Sequence, residues 1–287
     1  MSERAFGDRL AAAFAERGQL CVGIDPHPFL LDEWGLPDSA EGLREFGLRV
    51  VDAADGVVGI VKPQVAFFER HGSAGYSALE QILDRARQAN LLVIADVKRG
   101  DLGTSVEAYG QAWLTPGSTL EAHAMTISAY QGVGSIAEPI ALAQSTGKGL
   151  FVLAATSNPE ATSIQTARVA TGEYAGETVA AAIVKEVNAI NGAAGDRVGS
   201  LGVVLGATVS ADSYGISLEE LAAAPSTTVL APGFGFQGAK FAEIRTRFGP
   251  LTPVTIVAVS RGVLSAGPGR IAEAMSRAAG ELSECLA

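Results

Sequence analysis

Short runs of Val, Ile, Leu and Ala recur along the chain, at residues 20–24, 57–61, 91–95, 124–127, 149–154, 201–205, 228–231 and 254–259. Each is apolar on both faces, which suits parallel strands covered by helices better than strands with one wet face. Amphipathic stretches lie between them. Residues 73–90 carry Leu79, Ile82, Leu83 and Ala86 at helical spacing, and 178–190, 217–224, 239–248 and 268–286 follow the same logic. Pro268 stands near a helix start, where its missing N–H costs least. Residues 4–17 read as an additional helix ahead of the first strand. Eight strand–helix alternations predict one (β/α)8 TIM-barrel domain over residues 1–287 with an extra N-terminal helix. The pattern alone leaves a doubly wound open sheet as the alternative.

Two connections are longer than packing requires, residues 26–40 after the first strand and 156–176 after the fifth. Both follow strand C-termini, where barrel enzymes build their sites, so both are candidate lids. A formal charge of −10 and a pI near 4.9 argue against nucleic acid or an anionic membrane as partner. An anionic substrate must then be drawn in by a local cluster of Lys and Arg. Two cysteines, Cys21 and Cys285, and three scattered histidines, His27, His71 and His123, show no ligand spacing, so neither a metal site nor a disulfide is expected. The first residues lack an apolar signal core and no run reaches membrane-spanning length, which predicts a soluble protein of the reducing cytoplasm.

Charge enters the third strand abruptly, as Val-Ile-Ala-Asp-Val-Lys-Arg-Gly-Asp-Leu-Gly-Thr-Ser over 93–105. Side chains two apart on a strand share a face, so Asp96 and Lys98 both point to the barrel axis if either does. Asp101 follows after Gly100, which lets the chain turn. The bland alternative is a solvated loop, but these charges continue directly from a buried run. Lys62 closes the second run, where a lysine is expensive unless carboxylates pair with it; snorkelling to solvent is the ordinary alternative. Asp25 ends the first strand ahead of Pro26, a position that also serves as a simple turn. Gly233, Gly235 and Gly238 satisfy Gly-x-Gly-x-x-Gly, yet they lie late in the chain and no acidic residue about 20 positions on could hold a ribose, so a dinucleotide site is rejected. Loops after the seventh and eighth barrel strands instead bind phosphate through backbone N–H groups, with Arg261 as a charged fork. Two tight turns would account for the same glycines.

Together these segments resemble the orotidine 5'-phosphate decarboxylase family, and within it the mycobacterial-type (type 2) subfamily. The resemblance is carried by Asp-x-Lys-x-x-Asp at Asp96, Lys98 and Asp101, by Lys-Pro-Gln-x-Ala-Phe-Phe-Glu at 62–69, and by Pro-Gly-x-Gly-x-Gln-Gly at 232–238. It runs from about residue 20 to 262. The first motif is shared with sugar-phosphate decarboxylases and aldolases of the wider superfamily; the three in this order are specific. The resemblance implies decarboxylation of orotidine 5'-phosphate to UMP with no cofactor and no metal. It makes Lys98 the proton donor to C6, flanked by Asp96 and Lys62 in an alternating charge array. Asp101 completes that array from the other subunit of a homodimer, with Ser105 beside it. Asp25 and Lys62 would hold ribose hydroxyls. Gln237 and Arg261 would hold the phosphate, within loops built by Pro232, Gly233, Gly235 and Ser260, and Ser128 would contact the pyrimidine. Two departures stand out: Ser128-Ala129-Tyr130 where the subfamily usually has Asn-Pro-Tyr, and Ser105 where threonine is common.

Loss of CO2 from orotate leaves an in-plane carbanion that no π-system delocalises, so a fixed ammonium beside that carbon is the natural stabiliser. Repulsion from Asp96 at ~4 Å and an effective dielectric near 20 is worth roughly 4 kcal/mol, about three decades of rate. That falls well short of the ~23 kcal/mol an enzyme can supply, so carbanion stabilisation must contribute more. The rival readings are a Mg2+-dependent phosphosugar enzyme of the same superfamily and a non-catalytic phosphosugar or nucleotide sensor.

Overall fold

The computed structural model describes residues 4–194, 198–223 and 226–287. Eight parallel strands close on themselves in sequence order: β1 Leu20–Ile24, β2 Ile60–Pro63, β3 Leu92–Arg99, β4 Ala124–Ile127, β5 Gly149–Ala155, β6 Val198–Leu205, β7 Ser226–Pro232 and β8 Thr255–Val259. Pairing of Leu20 with Val257 and of Cys21 with Ala258 joins the first strand to the last, which excludes the open sheet. Helices cover the outside. Leu79, Ile82 and Leu83 of the helix Gly72–Gln88 are fully buried there, as their spacing predicts.

The additional helix is present as Phe6–Arg17, and it stoppers the N-terminal end of the barrel. Its Phe6 and Leu10 join the interior cluster of Cys21, Ile94, Phe151 and Ile256. The Phe6 ring meets Phe151 edge-on, with centroids 5.9 Å apart. A Cβ at residue 149 would run into that ring, so glycine at the start of β5 makes room for the plug. Burying two such side chains contributes about 1.5–3 kcal/mol each. With one mouth sealed by apolar packing, polar groups can gather at the other. Among the described residues no helix is long and apolar enough to cross a membrane.

Boundaries shift where charge or a helix end interrupts the apolar pattern. The predicted 57–61 strand begins only at Ile60, because the amides of Val57 and Val58 return to the Ala54 carbonyl and close the preceding helix. β3 runs on to Arg99 rather than ending at 95, since its inward charges are paired inside the barrel and need not leave the sheet. β6 and β7 begin earlier than expected. Helices Ala40–Ala54, Gly103–Leu114 and Ala137–Thr146 are additional to those predicted. The first had a legible signal: Ser39 caps it by accepting from the Gly42 amide, and Leu43, Phe46, Val50 and Val51 line one buried face.

The predicted 239–248 helix is a 3-10 turn, Phe241–Glu243, running into Ile244–Phe248. The 217–224 helix is Leu218–Ala222, and residue 224 lies outside the described residues, as do 1–3 of the predicted domain. The last helix starts at Ile271, leaving Pro268 in the turn before it, and a short helix Arg261–Leu264 directly follows β8. Neither long connection is bare loop. The first contains the helix Pro28–Glu33, and the second contains Pro159–Ala161 and Thr162–Gln165.

Candidate active site

A cavity of about 520 Å³ opens where the C-terminal ends of the strands converge. Each strand delivers its polar groups by ending there. β1 gives Asp25, β2 gives Lys62 and then Gln64, β3 gives Asp96 and Lys98, and β4 gives Thr126. The loop after β5 gives Thr156, Ser157 and Asn158, while β7 and β8 lead into Gly233, Gln237, Ser260 and Arg261. Three cations and two carboxylates line the cavity, a net positive charge on a protein of charge −10. The local cluster that an anionic ligand requires is therefore present.

Asp96 is the centre of the array. Its Oδ2 accepts from Lys62 Nζ at 2.8 Å and its Oδ1 from Lys98 Nζ at 2.5 Å. Asp96 and Lys62 are both 7% exposed, whereas the Lys98 side chain is 47% exposed and faces the open cavity. Burial, the largest single influence on Asp96, pushes its carboxyl up, but Lys62 and Lys98 together hold it well below the usual carboxylate range. Burial likewise pulls Lys62 down, and the charges of Asp96 and Asp25 with the Asp96 hydrogen bond raise it above the ordinary lysine value. Lys62 is thus a paired, buried ammonium and does not snorkel.

Lys98 reaches Asp96 by an unusual route. Its φ is +47°, one of two positive values among non-glycine described residues. The register between β3 and β4 slips between Ala95 and Arg99. The backbone is thus kinked at Lys98, within β3. Gly100 follows the strand end, where a Cβ would strike the Ser128 carbonyl. A strained backbone at a charged cavity residue is the kind of conformation that only a well-determined surrounding retains.

On the opposite wall Gly233, Gly235 and Gly238 all have positive φ, and a Cβ on Gly233 would meet Gln237 Oε1 at 3.4 Å. Arg261 lies 3.9 Å over the Phe236 ring, which fixes the plane of its guanidinium. Ser260 Oγ and Asp25 Oδ1 are buried with no hydrogen-bond partner. A Cβ on Gly23 would crowd both residues, so the glycine keeps this corner open. His27 sits between Phe29 and Phe67, and burial together with Arg261 lowers its basicity against the pull of Asp25. Burial pushes the Cys21 thiol up to about 12, so it is no nucleophile at neutral pH.

Nine of the sequence-predicted residues line this one cavity: Lys98, Asp96, Lys62, Asp25, Pro232, Gly233, Gln237, Ser260 and Arg261. Four do not. Gly235 shapes the loop through a hydrogen bond from its amide to the Ala239 carbonyl. Asp101 accepts from the Leu102 amide, and Ser105 is exposed on the next helix. Ser128 is not brought to the cavity: its amide donates to the Arg99 carbonyl at 2.7 Å and its own carbonyl backs Gly100. Polar groups on that side come instead from Thr156, Ser157 and Asn158, at the start of the long connection read as a candidate lid. Sequence reasoning also passed over Gln64, whose Oε1 lies 3.4 Å from Lys98 Nζ, and Thr126. Gln64 stands two after Lys62, the same-face spacing that links Asp96 to Lys98, and could have been found from it.

A model of the orotidine 5'-phosphate decarboxylase / HUMPS family matches residues 18–275. A Salinispora arenicola protein named orotidine 5'-phosphate decarboxylase is 46% identical over 283 residues, covering 99% of this chain and 98% of its own. Its namesake in Salinispora tropica is 48% identical over 269 residues, 93% of this chain and 92% of its own. Among solved structures, a Streptomyces avermitilis protein provisionally assigned as orotidine 5'-phosphate decarboxylase superimposes with a TM-score of 0.91 at 42% identity, over 100% of this chain and 97% of that one. With its fold, its charge array and its relatives in agreement, the chain belongs to the orotidine 5'-phosphate decarboxylase / HUMPS family.

Proposed function

We propose that this chain converts orotidine 5'-phosphate to UMP and CO2, each chain acting as one barrel domain. The observation that carries the reading is the buried Lys62–Asp96–Lys98 array with its last ammonium turned to the cavity. The C6–carboxylate bond breaks, its electron pair stays on C6, and a proton from Lys98 Nζ completes the product. Asp96 beside the departing carboxylate adds repulsion that vanishes with CO2. Asp25 Oδ1, buried and unpaired, suits a ribose hydroxyl donor, with Lys62 close by. Arg261 and Gln237, across the cavity, suit the phosphate. The phosphate does not react, so its binding energy aligns the charges at the other end of the ligand.

A Mg2+-dependent phosphosugar reaction is the alternative that the family name retains. Loss of orotate absorbance, followed with purified protein in EDTA, separates the two. Full turnover is expected in the chelator, and Arg261→Ala is expected to lower kcat/KM by about 30- to 100-fold, the worth of one or two charged hydrogen bonds. Turnover that needs added Mg2+, or that prefers a phosphosugar, would overturn the assignment.

The reading includes a homodimer. Asp101 and Ser105 lie outside the cavity of their own chain, and Leu102 between them is 59% exposed. Such apolar exposure suits a second copy whose Asp101 enters this site. Mixing inactive Lys98→Ala with inactive Asp101→Ala chains is expected to restore a measurable fraction of activity; self-contained sites would restore none. The free thiols of Cys21 and Cys285 suit a reducing cytoplasm.

A further inference from the structure

We propose that Thr126 is the positioning residue of the site, its single hydroxyl fixing both the Asp96 carboxylate and the strained peptide of Lys98. The inference rests on the reading of Lys98 as proton donor.

Thr126 lies on β4, 2% exposed. Its Oγ1 donates to Asp96 Oδ1 at 2.8 Å and accepts from the Lys98 amide at 2.9 Å. A hydroxyl has one proton and two lone pairs, so both bonds can be made at once. The donor direction is set by chemistry, since the carboxylate can only accept and the amide can only donate. Lys98 Nζ closes the circuit by donating to the same Asp96 oxygen.

This circuit explains why Lys98 keeps its conformation. β3 advances from Ala95 to Arg99 while β4 advances only from Met125 to Ile127, so the lysine lies in a bulge between the two pairings. A side chain there serves the amide. A left-handed φ on a non-glycine residue is sterically disfavoured and persists only where its surroundings hold it. Without the hydroxyl, the partly buried Lys98 amide would lose this partner and the bulge could relax toward ordinary extended backbone. The ammonium would then drift from the position beside the scissile bond. A displacement near 1 Å can cost about 10²-fold in rate.

The fully buried neighbours Met125 and Ile127 give Thr126 a second, purely structural explanation, a polar residue accommodated in a buried strand. The two differ in what valine, of the same shape, would do. A packing role is met equally by valine and is disturbed by the smaller serine. A positioning role is lost with valine and kept with serine.

The test compares Thr126→Val, Thr126→Ser and Lys98→Ala by steady-state decarboxylation and by NMR exchange of the Lys98 backbone amide. Thr126→Val is expected to lower kcat about 30- to 100-fold with KM within about threefold, and to speed amide exchange at least about tenfold. Thr126→Ser is expected to stay within about threefold of the parent on every measure. Should the valine variant not fold, Thr126→Ala is read in the same way. A valine variant with parental kcat, or equal losses for valine and serine, would overturn the proposal. Activity surviving in Lys98→Ala would instead sink the reading of the lysine, leaving amide exchange to judge the role of the threonine.

Discussion

Lys98→Ala is expected to lower kcat by at least about 10⁴-fold while leaving UMP affinity within about tenfold. General acid catalysis alone accounts for about 10²–10⁴, and electrostatic stabilisation by a fixed cation beside a developing anion adds about 10²–10³. The Lys98 ammonium is partly exposed at the cavity and tied to Asp96, so both contributions are lost with it. UMP has no carboxylate at the reacting carbon, and its phosphate and ribose ends would face Arg261, Gln237 and Asp25, which the substitution leaves intact. Lys98→Arg is expected to rescue little, because a guanidinium keeps charge but scarcely gives up a proton near neutrality. Single-turnover measurements with the alanine variant decide the matter. Activity above about one per cent of the parent would remove Lys98 from the chemistry.

Asp96→Ala carries the largest expected effect on stability, a loss of about 3–5 kcal/mol in urea unfolding at neutral pH. Lys62 is nearly inaccessible, and Asp96 is its hydrogen-bond partner. Removing the carboxylate would leave an ammonium buried beside another cation. Such a loss is a large part of the roughly 5–15 kcal/mol that holds a domain folded. Asp96→Asn is expected to help little, since it restores volume and not charge. The double replacement Asp96→Leu with Lys62→Met is expected to regain most of the stability and none of the activity, because an apolar pair fills the same space without desolvated charge. An unchanged urea midpoint for Asp96→Ala would contradict the account.

The pair also sets a pH window. Asp96 has its folded-state value depressed, so its contribution is complete above the unfolded carboxylate range near 4 and is lost as pH falls below it. Lys62 has its value raised, so its contribution is complete below about 10 and is lost in stronger alkali. Between those limits the difference between the parent and Asp96→Asn is expected to stay flat.

Sequence alone determined the architecture, because eight buried runs with helical spacing between them leave little besides a parallel α/β fold. It also marked most of the charged residues that line the cavity. Lys62, Asp96 and Lys98 stand out as charges set into apolar strands, where cost demands a partner, and glycines after the seventh and eighth runs mark loops that a bound phosphate suits. Closure of the sheet was decided only by the pairing of β1 with β8, between residues more than 230 positions apart. Thr126 was equally hidden, and the 156–158 wall was marked only as part of a long connection. A threonine in a β-strand is ordinary, and its importance comes from facing an aspartate and an amide 30 and 28 positions away. The positive φ at Lys98 was invisible for the same reason: local preference opposes it, and only bonds from the neighbouring strand hold it in place.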